Sequence, residues 1–190
     1  RLFSSEEFIN DSYRWCLWIP DDKLELAKSI TPIKDRIEAV RIARIEGGTR
    51  GKNCINTPHK FAWINQPNSK QIIIPTVSSE RREYIPIGYL DKDIIISNSA
   101  SIVHDPEPYI FSIITSKIHN IWVKVVAGKL ENRIRYTSAV CYNTFPFPLI
   151  SESQKNELER HAYQILEERE KHSEKTLAYL YDPDKMPDDL

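Results

Sequence analysis

The chain has 190 residues, 41% of them hydrophobic, 28% charged and 10% aromatic, with a net charge of −1; this suits one core, or one core plus a helical appendage, and excludes a disordered chain. No apolar run approaches the ~20 residues of a membrane span, and the opening residues do not read as a signal peptide, so a cytoplasmic protein without membrane contact is expected. Three widely spaced cysteines, Cys16, Cys54 and Cys141, form no CxxC pair, which excludes a zinc or disulfide framework and leaves each as a small buried apolar residue.

Tyr13-Arg14-Trp15-Cys16-Leu17-Trp18-Ile19 has high β-propensity and predicts a strand ended by Pro20. Asp21-Asp22 then open a short helix. Thr31-Pro32, read as an N-cap followed by Pro at the first helical position, opens a longer one that Gly47-Gly48 stops. A polar loop over 47–60 follows, and then strand signals at 60–64, 71–75, 83–89 and 93–97. Strands in succession, not alternating with helices, predict an antiparallel or mixed sheet. Residues 107–127 read as one long helix, apolar nearly all round and therefore buried against a sheet. A single strand is expected at 129–137, then an extended stretch from Tyr142 to Pro148. Ser151 or Ser153 begins the last long helix, to about His172, and Ser173 is placed to cap a further short one holding Leu177 and Leu180. The fold expected is α+β: a mixed or mainly antiparallel sheet with a buried long helix, followed by a C-terminal helical segment. The domains expected are 1–148 and 149–190.

Charge divides along the same line. Residues 1–148 hold 20 Lys+Arg against 16 Asp+Glu, a net of +4, and residues 149–190 hold 6 against 11, a net of −5. Such asymmetry points to a polyanion at the first part. The acidic last helix would repel a polyanion, so it is expected to pack on protein. Because the chain starts at Arg1 and its one methionine is Met186, it is expected to be a piece of a longer protein.

Catalytic motifs are missing. Gly47-Gly48-Thr49-Arg50-Gly51 is glycine-rich but follows a helix, whereas a loop for S-adenosylmethionine follows a strand. No Asn/Asp-Pro-Pro-aromatic motif of an amino-methyltransferase occurs. Asp182-Pro183-Asp184-Lys185 has the residue types of a metal-dependent nuclease but no strand to carry them, and reads as a turn. The five histidines show no metal-ligand spacing. His119 reads as a satisfied buried side chain, and His161 and His172 as solvated.

The stretch Lys129-Leu130-Glu131-Asn132-Arg133-Ile134-Arg135-Tyr136 is the most informative. As one strand it would place Lys129, Glu131, Arg133 and Arg135 on one face. Arginine can grip guanine at two acceptors and glutamate can accept from the cytosine amino group. On the pattern alone, a solvated sheet face with a Glu–Arg pair accounts for the row better. Ser78, Ser79, Arg81 and Arg82 place hydroxyls and arginines in a turn, as phosphate partners or as local salt bridges. Arg50 and Lys52 form a third basic element, or simply a solvated loop.

The runs Arg14–Trp18, Thr57-Pro58-His59, Val77–Gly88, Lys117–Val123, Gly128–Tyr136, Tyr142–Pro148 and Leu180–Pro187, in this order, resemble the C-terminal region of the type IIL, MmeI-like restriction–methylation enzymes. The resemblance covers nearly the whole chain. It implies a recognition region that reads bases in double-stranded DNA and is not catalytic by itself. It assigns base reading to Glu131, Arg133, Arg135 and a position near Ser97–Ser99, here Ser99. With it, Arg50, Lys52, Ser78, Ser79, Arg81, Arg82 and Lys129 become expected contacts to the DNA backbone. It further implies an upstream methyltransferase domain of the same chain, using S-adenosylmethionine and, where a nuclease is active, Mg²⁺; no cofactor is expected in residues 1–190. The rival readings are a protein-interaction or scaffold domain without DNA contact, and a metal-dependent nuclease domain.

Overall fold

A computed structural model describes residues 1–63 and 66–190. In chain order, β1 (Leu2–Phe3) leads into α1 (Ser5–Asn10). Ser4 and Glu7 form a reciprocal capping box at the start of α1, a Ser-x-x-Glu signal that can be read from sequence alone. The strand expected over 13–19 is not formed: Arg14 makes one isolated bridge to Leu2, and the rest has no partner strand among the described residues. β-propensity acts only where a neighbour supplies the ladder.

A 3-10 turn at Asp21–Lys23 precedes α2 (Leu24–Ser29) and α3 (Thr31–Glu46). Ile30, not Thr31, occupies the N-cap of α3, and no side chain caps it. Within the expected polar loop, residues Thr49–Lys52 form one helical turn, α4. The strand expected at 60–64 is not formed over 60–63, and its end lies outside the described residues.

The strands that follow are β2 (Lys70–Pro75), β3 (Val77–Ser78), β4 (Gly88–Asp91), β5 (Ile95–Ile96) and β6 (Ala100–His104). β6 carries no clean sequence signal because all five of its residues are only half-buried. Helices α5 (Pro108–Thr115) and α6 (Lys117–Val126) replace the single long helix expected. Ser116 breaks it: its backbone is extended (ψ 155°) and its hydroxyl accepts from the His119 amide. A hairpin, β7 (Gly128–Leu130) and β8 (Arg133–Arg135), replaces the expected single strand. A π turn at Ser138–Tyr142 leads to α7 (Glu152–Lys171), capped by Ser151 and Gln154, and to α8 (Leu177–Leu180), capped by Thr176 and not Ser173.

The chain forms two compact units, Cys16–Asn65 and the remainder, Arg1–Trp15 with Gln66–Leu190. In the larger unit, β4-β2-β6 and β3-β8-β7 are three-stranded antiparallel sheets, and β1 pairs with β5 in parallel. Ile72, Ile74, Ile85, Ile87, Phe111, Ile114 and Ala162 join sheet, α5 and α7 in one core. The Phe111 ring lies 5.0 Å from that of Tyr89. All-round burial therefore holds for α5. It fails for α6, where Ile118 and Val125 are 72% and 77% exposed, because the break at Ser116 redirects the chain.

The acidic helix α7 packs on protein as expected: the Ser112 hydroxyl donates to the Leu158 carbonyl. Arg169 is buried near its C-terminal end. It donates to the Ile87 carbonyl (2.7 Å) and to the Tyr181 hydroxyl (2.9 Å), and lies over the Phe111 ring. His161 is exposed as read, but His172 is partly covered and lies 3.2 Å from Asp189.

His119 is fully buried, yet not fully satisfied. Its Nε2 lies 3.3 Å from the Tyr136 hydroxyl, and Nδ1 finds no partner among the described residues. Burial lowers its pKa from 6.5 to about 4. Between these values the unfolded chain binds a proton that the folded chain refuses. Stability is therefore full above pH 6.5 and falls as pH drops toward 4. Urea unfolding at pH 7.5 and pH 5 is expected to show a loss of about 2 kcal/mol that disappears in His119→Gln. An equal loss in that variant would put the acid sensitivity elsewhere.

Candidate nucleic-acid interface

The hairpin turns on Glu131-Asn132. Glu131 is in the left-handed region (φ 57°), the backbone that a tight two-residue hairpin loop demands. Residues opposite each other in an antiparallel pair share a face. Leu130 faces Arg133, and Gly128 faces Arg135, so Leu130, Arg133 and Arg135 stand together on the outer face. Ile134 points inward at 7% exposure, opposite Lys129. The single row of four charged residues is thereby corrected. Arg133 and Arg135 remain neighbours, Lys129 changes face, and Glu131 moves to the turn, where its carboxylate pairs with Arg133 at 2.9 Å. All four are exposed.

The 70–78 run links this hairpin to Ser99. Pro75 pairs with Ala100 in one sheet and Val77 with Arg135 in the other, while the Thr76 amide donates to the Ser99 carbonyl (3.2 Å). Ser99 is exposed, and its hydroxyl lies 2.9 Å from that of Ser97. The structure thus brings Ser99 and Arg135 to adjacent residues of this run, Thr76 and Val77.

The turn at 78–82 is less open than its composition implies. Ser78 lies on the Ile134 face, 3% exposed, so its hydroxyl is not offered to solvent. Ser79 is half-buried and accepts from the Arg81 amide (3.3 Å). Arg82 is half-buried against the Ala178 carbonyl, and burial lowers its pKa. Arg81 is exposed but pairs with Asp184 at 2.6 Å, which raises its pKa. The C-terminal tail supplies these partners, and no local sequence pattern announces them. Asp182-Pro183-Asp184-Lys185 is the turn expected.

Arg50 and Lys52 sit on α4 in the smaller unit, both exposed and without an ion-pair partner among the described residues. That unit also holds two arrangements missed in the sequence. Arg44 donates to three backbone carbonyls, and Asp21 accepts from His59 (2.9 Å) and Lys60 (2.5 Å), which lower its pKa. Cys141 is fully buried and its thiol pKa is raised by that burial; Cys16 and Cys54 are half-buried. Among the described residues no group of three or more His, Cys, Asp or Glu side chains is placed to hold a metal ion. Nor is any described helix long and apolar enough to cross a membrane.

The larger unit is thus an α+β body that displays a charged hairpin. Residues 1–149 match the family model of the MmeI target recognition domain and residues 150–190 that of the MmeI C-terminal domain, and the chain belongs to this family. It is 41% identical, over its whole length, to DNA methyltransferase A of Bacillus subtilis (strain 168), of which it spans 22%. A solved structure of the type IIL restriction-modification enzyme MmeI in complex with DNA matches all of the chain with a TM-score of 0.95 at 37% identity; the chain spans 26% of that protein. The two family models meet between residues 149 and 150, whereas the compact units set Cys16–Asn65 apart and leave the C-terminal segment in the larger unit.

Proposed function

We propose that this chain reads a specific sequence in duplex DNA and is not catalytic by itself. It serves a longer protein: a DNA adenine N6-methyltransferase, or a restriction–methylation enzyme in which a nuclease is fused to one. The hairpin carries this reading. It holds Arg133 and Arg135 outward on the middle strand of the three-stranded sheet, with Glu131 at the turn paired to Arg133. Only the hairpin end, Leu130–Arg133, extends beyond the pairing with β3 as a two-stranded ribbon, the form that fits the major groove, where arginine grips guanine and glutamate accepts from cytosine. Ser99 extends the base-reading surface. Lys129, Arg50 and Lys52, exposed and without an ion-pair partner among the described residues, offer cations for phosphate contacts, which set register without reading sequence. Arg81 joins them on release from Asp184, with the half-buried Ser79 and Arg82 beside it in sequence and Ser78 buried in the sheet.

S-adenosylmethionine, and Mg²⁺ where a nuclease is active, belong to the rest of the longer protein, in the cytoplasm. The upstream methyltransferase domain takes the target adenine out of the stack while this chain holds the register. Duplex binding by the complete protein is expected to weaken steeply with salt, log K falling against log[KCl] with a slope of about −3 or steeper for three or more phosphate contacts. A slope near zero would sink the DNA reading. The exposed apolar stripe Ile118, Ile121 and Val125 on α6 favours a second reading, a protein-contact surface. Self-association or partner capture with no DNA binding would bear it out.

A further inference from the structure

We propose that Arg44 is a positioning residue for the phosphate contacts of Arg50 and Lys52, an inference that rests on the DNA-contact reading above. Arg44 lies in the last turn of α3, where four backbone carbonyls lack helical partners and a cation is favoured. Its guanidinium reaches past the helix end instead. One nitrogen donates to the carbonyls of Cys54 (2.6 Å) and Thr57 (2.8 Å), and a second to that of Lys60 (2.6 Å). The planar fork of arginine can serve three acceptors at once; an ammonium on a flexible stem cannot hold them in this arrangement. The 54–60 segment is thereby wrapped around one side chain.

Two further contacts fix the same loop. A Cβ at Gly51 would come within 3.2 Å of the Arg44 carbonyl oxygen, so the α4 turn rests against the Arg44 backbone. At the far end, Asp21 holds both His59 and Lys60. Thr49–Asn53 lies between the end of α3 and the 54–60 segment that the Arg44 guanidinium holds, with Gly51 at its middle against the Arg44 backbone. Thr49, Arg50, Lys52 and Asn53 are exposed, and neither cation is spent on an ion pair among the described residues. A loop clamped at both ends with two unspent cations at its tip is pre-organised for a polyanion. The ordering entropy of that loop is met on folding rather than on binding.

The test uses the complete protein carrying this chain and a short duplex, with affinity measured over a range of KCl concentrations and unfolding midpoints read alongside. Arg50→Ala/Lys52→Ala is expected to flatten the salt slope by about 2, one for each lost phosphate contact. Arg44→Lys keeps its charge and Gly51→Ala changes none, yet each is expected to flatten the slope by up to about the same amount. A purely structural loss would lower the midpoint and the amount of active protein, and leave the slope of the folded fraction alone. Flattening in either Arg44→Lys or Gly51→Ala supports the inference. A wild-type slope in both, beside a flattened slope in the double variant, overturns it and leaves the DNA contact standing. A wild-type slope in the double variant removes the phosphate contact itself, and the positioning role with it.

Discussion

Glu131→Lys/Arg133→Asp, made in the complete protein, is expected to change the preferred base at one position of the recognised sequence while leaving overall affinity within a few-fold. The exchange reverses an ion pair that spans 2.9 Å in the wild type, so the hairpin keeps its net charge and its internal attraction. The sequence-independent electrostatic term is therefore preserved. Glu131 already occupies a left-handed backbone position, and lysine there is no more strained than glutamate. What changes is the chemistry on the outer face. Arg133 offers two donors that suit guanine, and aspartate offers only acceptors, which suit the cytosine amino group. A good bidentate contact is worth about 1–3 kcal/mol of discrimination, so the preference at that position should invert by about 10- to 100-fold. Selection from a pool of random duplexes, variant beside wild type, reads this directly. An unchanged consensus would move the reading surface elsewhere, first to residues 97–101 and then to 78–82.

Loss of the Arg169 guanidinium is expected to lower stability severely. Its partners are a carbonyl and a phenol rather than a carboxylate, and all of them are withdrawn from water. Arg169→Met preserves most of the volume and removes the donors. It leaves the Ile87 carbonyl and the Tyr181 hydroxyl without a partner at about 1–3 kcal/mol each, and forfeits the contact with the Phe111 ring. The expected cost is about 3–5 kcal/mol, a large share of the usual stability of a domain. In a chain of this size the unfolding midpoint should fall by about 10 °C. Arg169→Lys should recover less than half of that, because an ammonium cannot hold Ile87 and Tyr181 together. Gly88 explains the tight geometry: a Cβ there would meet the Phe8 ring at 2.7 Å, so strand, α1 and Arg169 meet with no slack. A midpoint within about 2 °C of wild type in Arg169→Met would mean that the C-terminal segment is fastened by its apolar contacts alone.

The elements that could be read from sequence are those whose signals are local. Ser151 with Gln154 opens α7, Gly47 ends α3, and the apolar run at 71–75 is the central strand β2; each rests on a cap, a breaker or a short run of β-branched residues. The charge of the 129–135 stretch and the free cations Arg50 and Lys52 were likewise visible, since composition and exposure go together on a loop. Tertiary structure decided what depends on partners distant in the chain. Tyr13–Ile19 has the propensity of a strand but makes only the single Arg14–Leu2 bridge among the described residues, and Ser116 splits one apolar helix into α5, buried nearly all round, and α6, which buries only the side that carries His119, Asn120 and Val123. The left-handed turn at Glu131, a residue with no special preference for it, decided which charged side chains share a face. Ser78 and Arg82 were withdrawn and Arg81 engaged by strand β8 and by a tail about a hundred residues away, contacts that no window along the chain contains. Sequence by itself determined the composition of the charged 129–135 stretch and the family. The fold chose which of those residues face outward, because side-chain direction is fixed by pairing register and not by order along the chain.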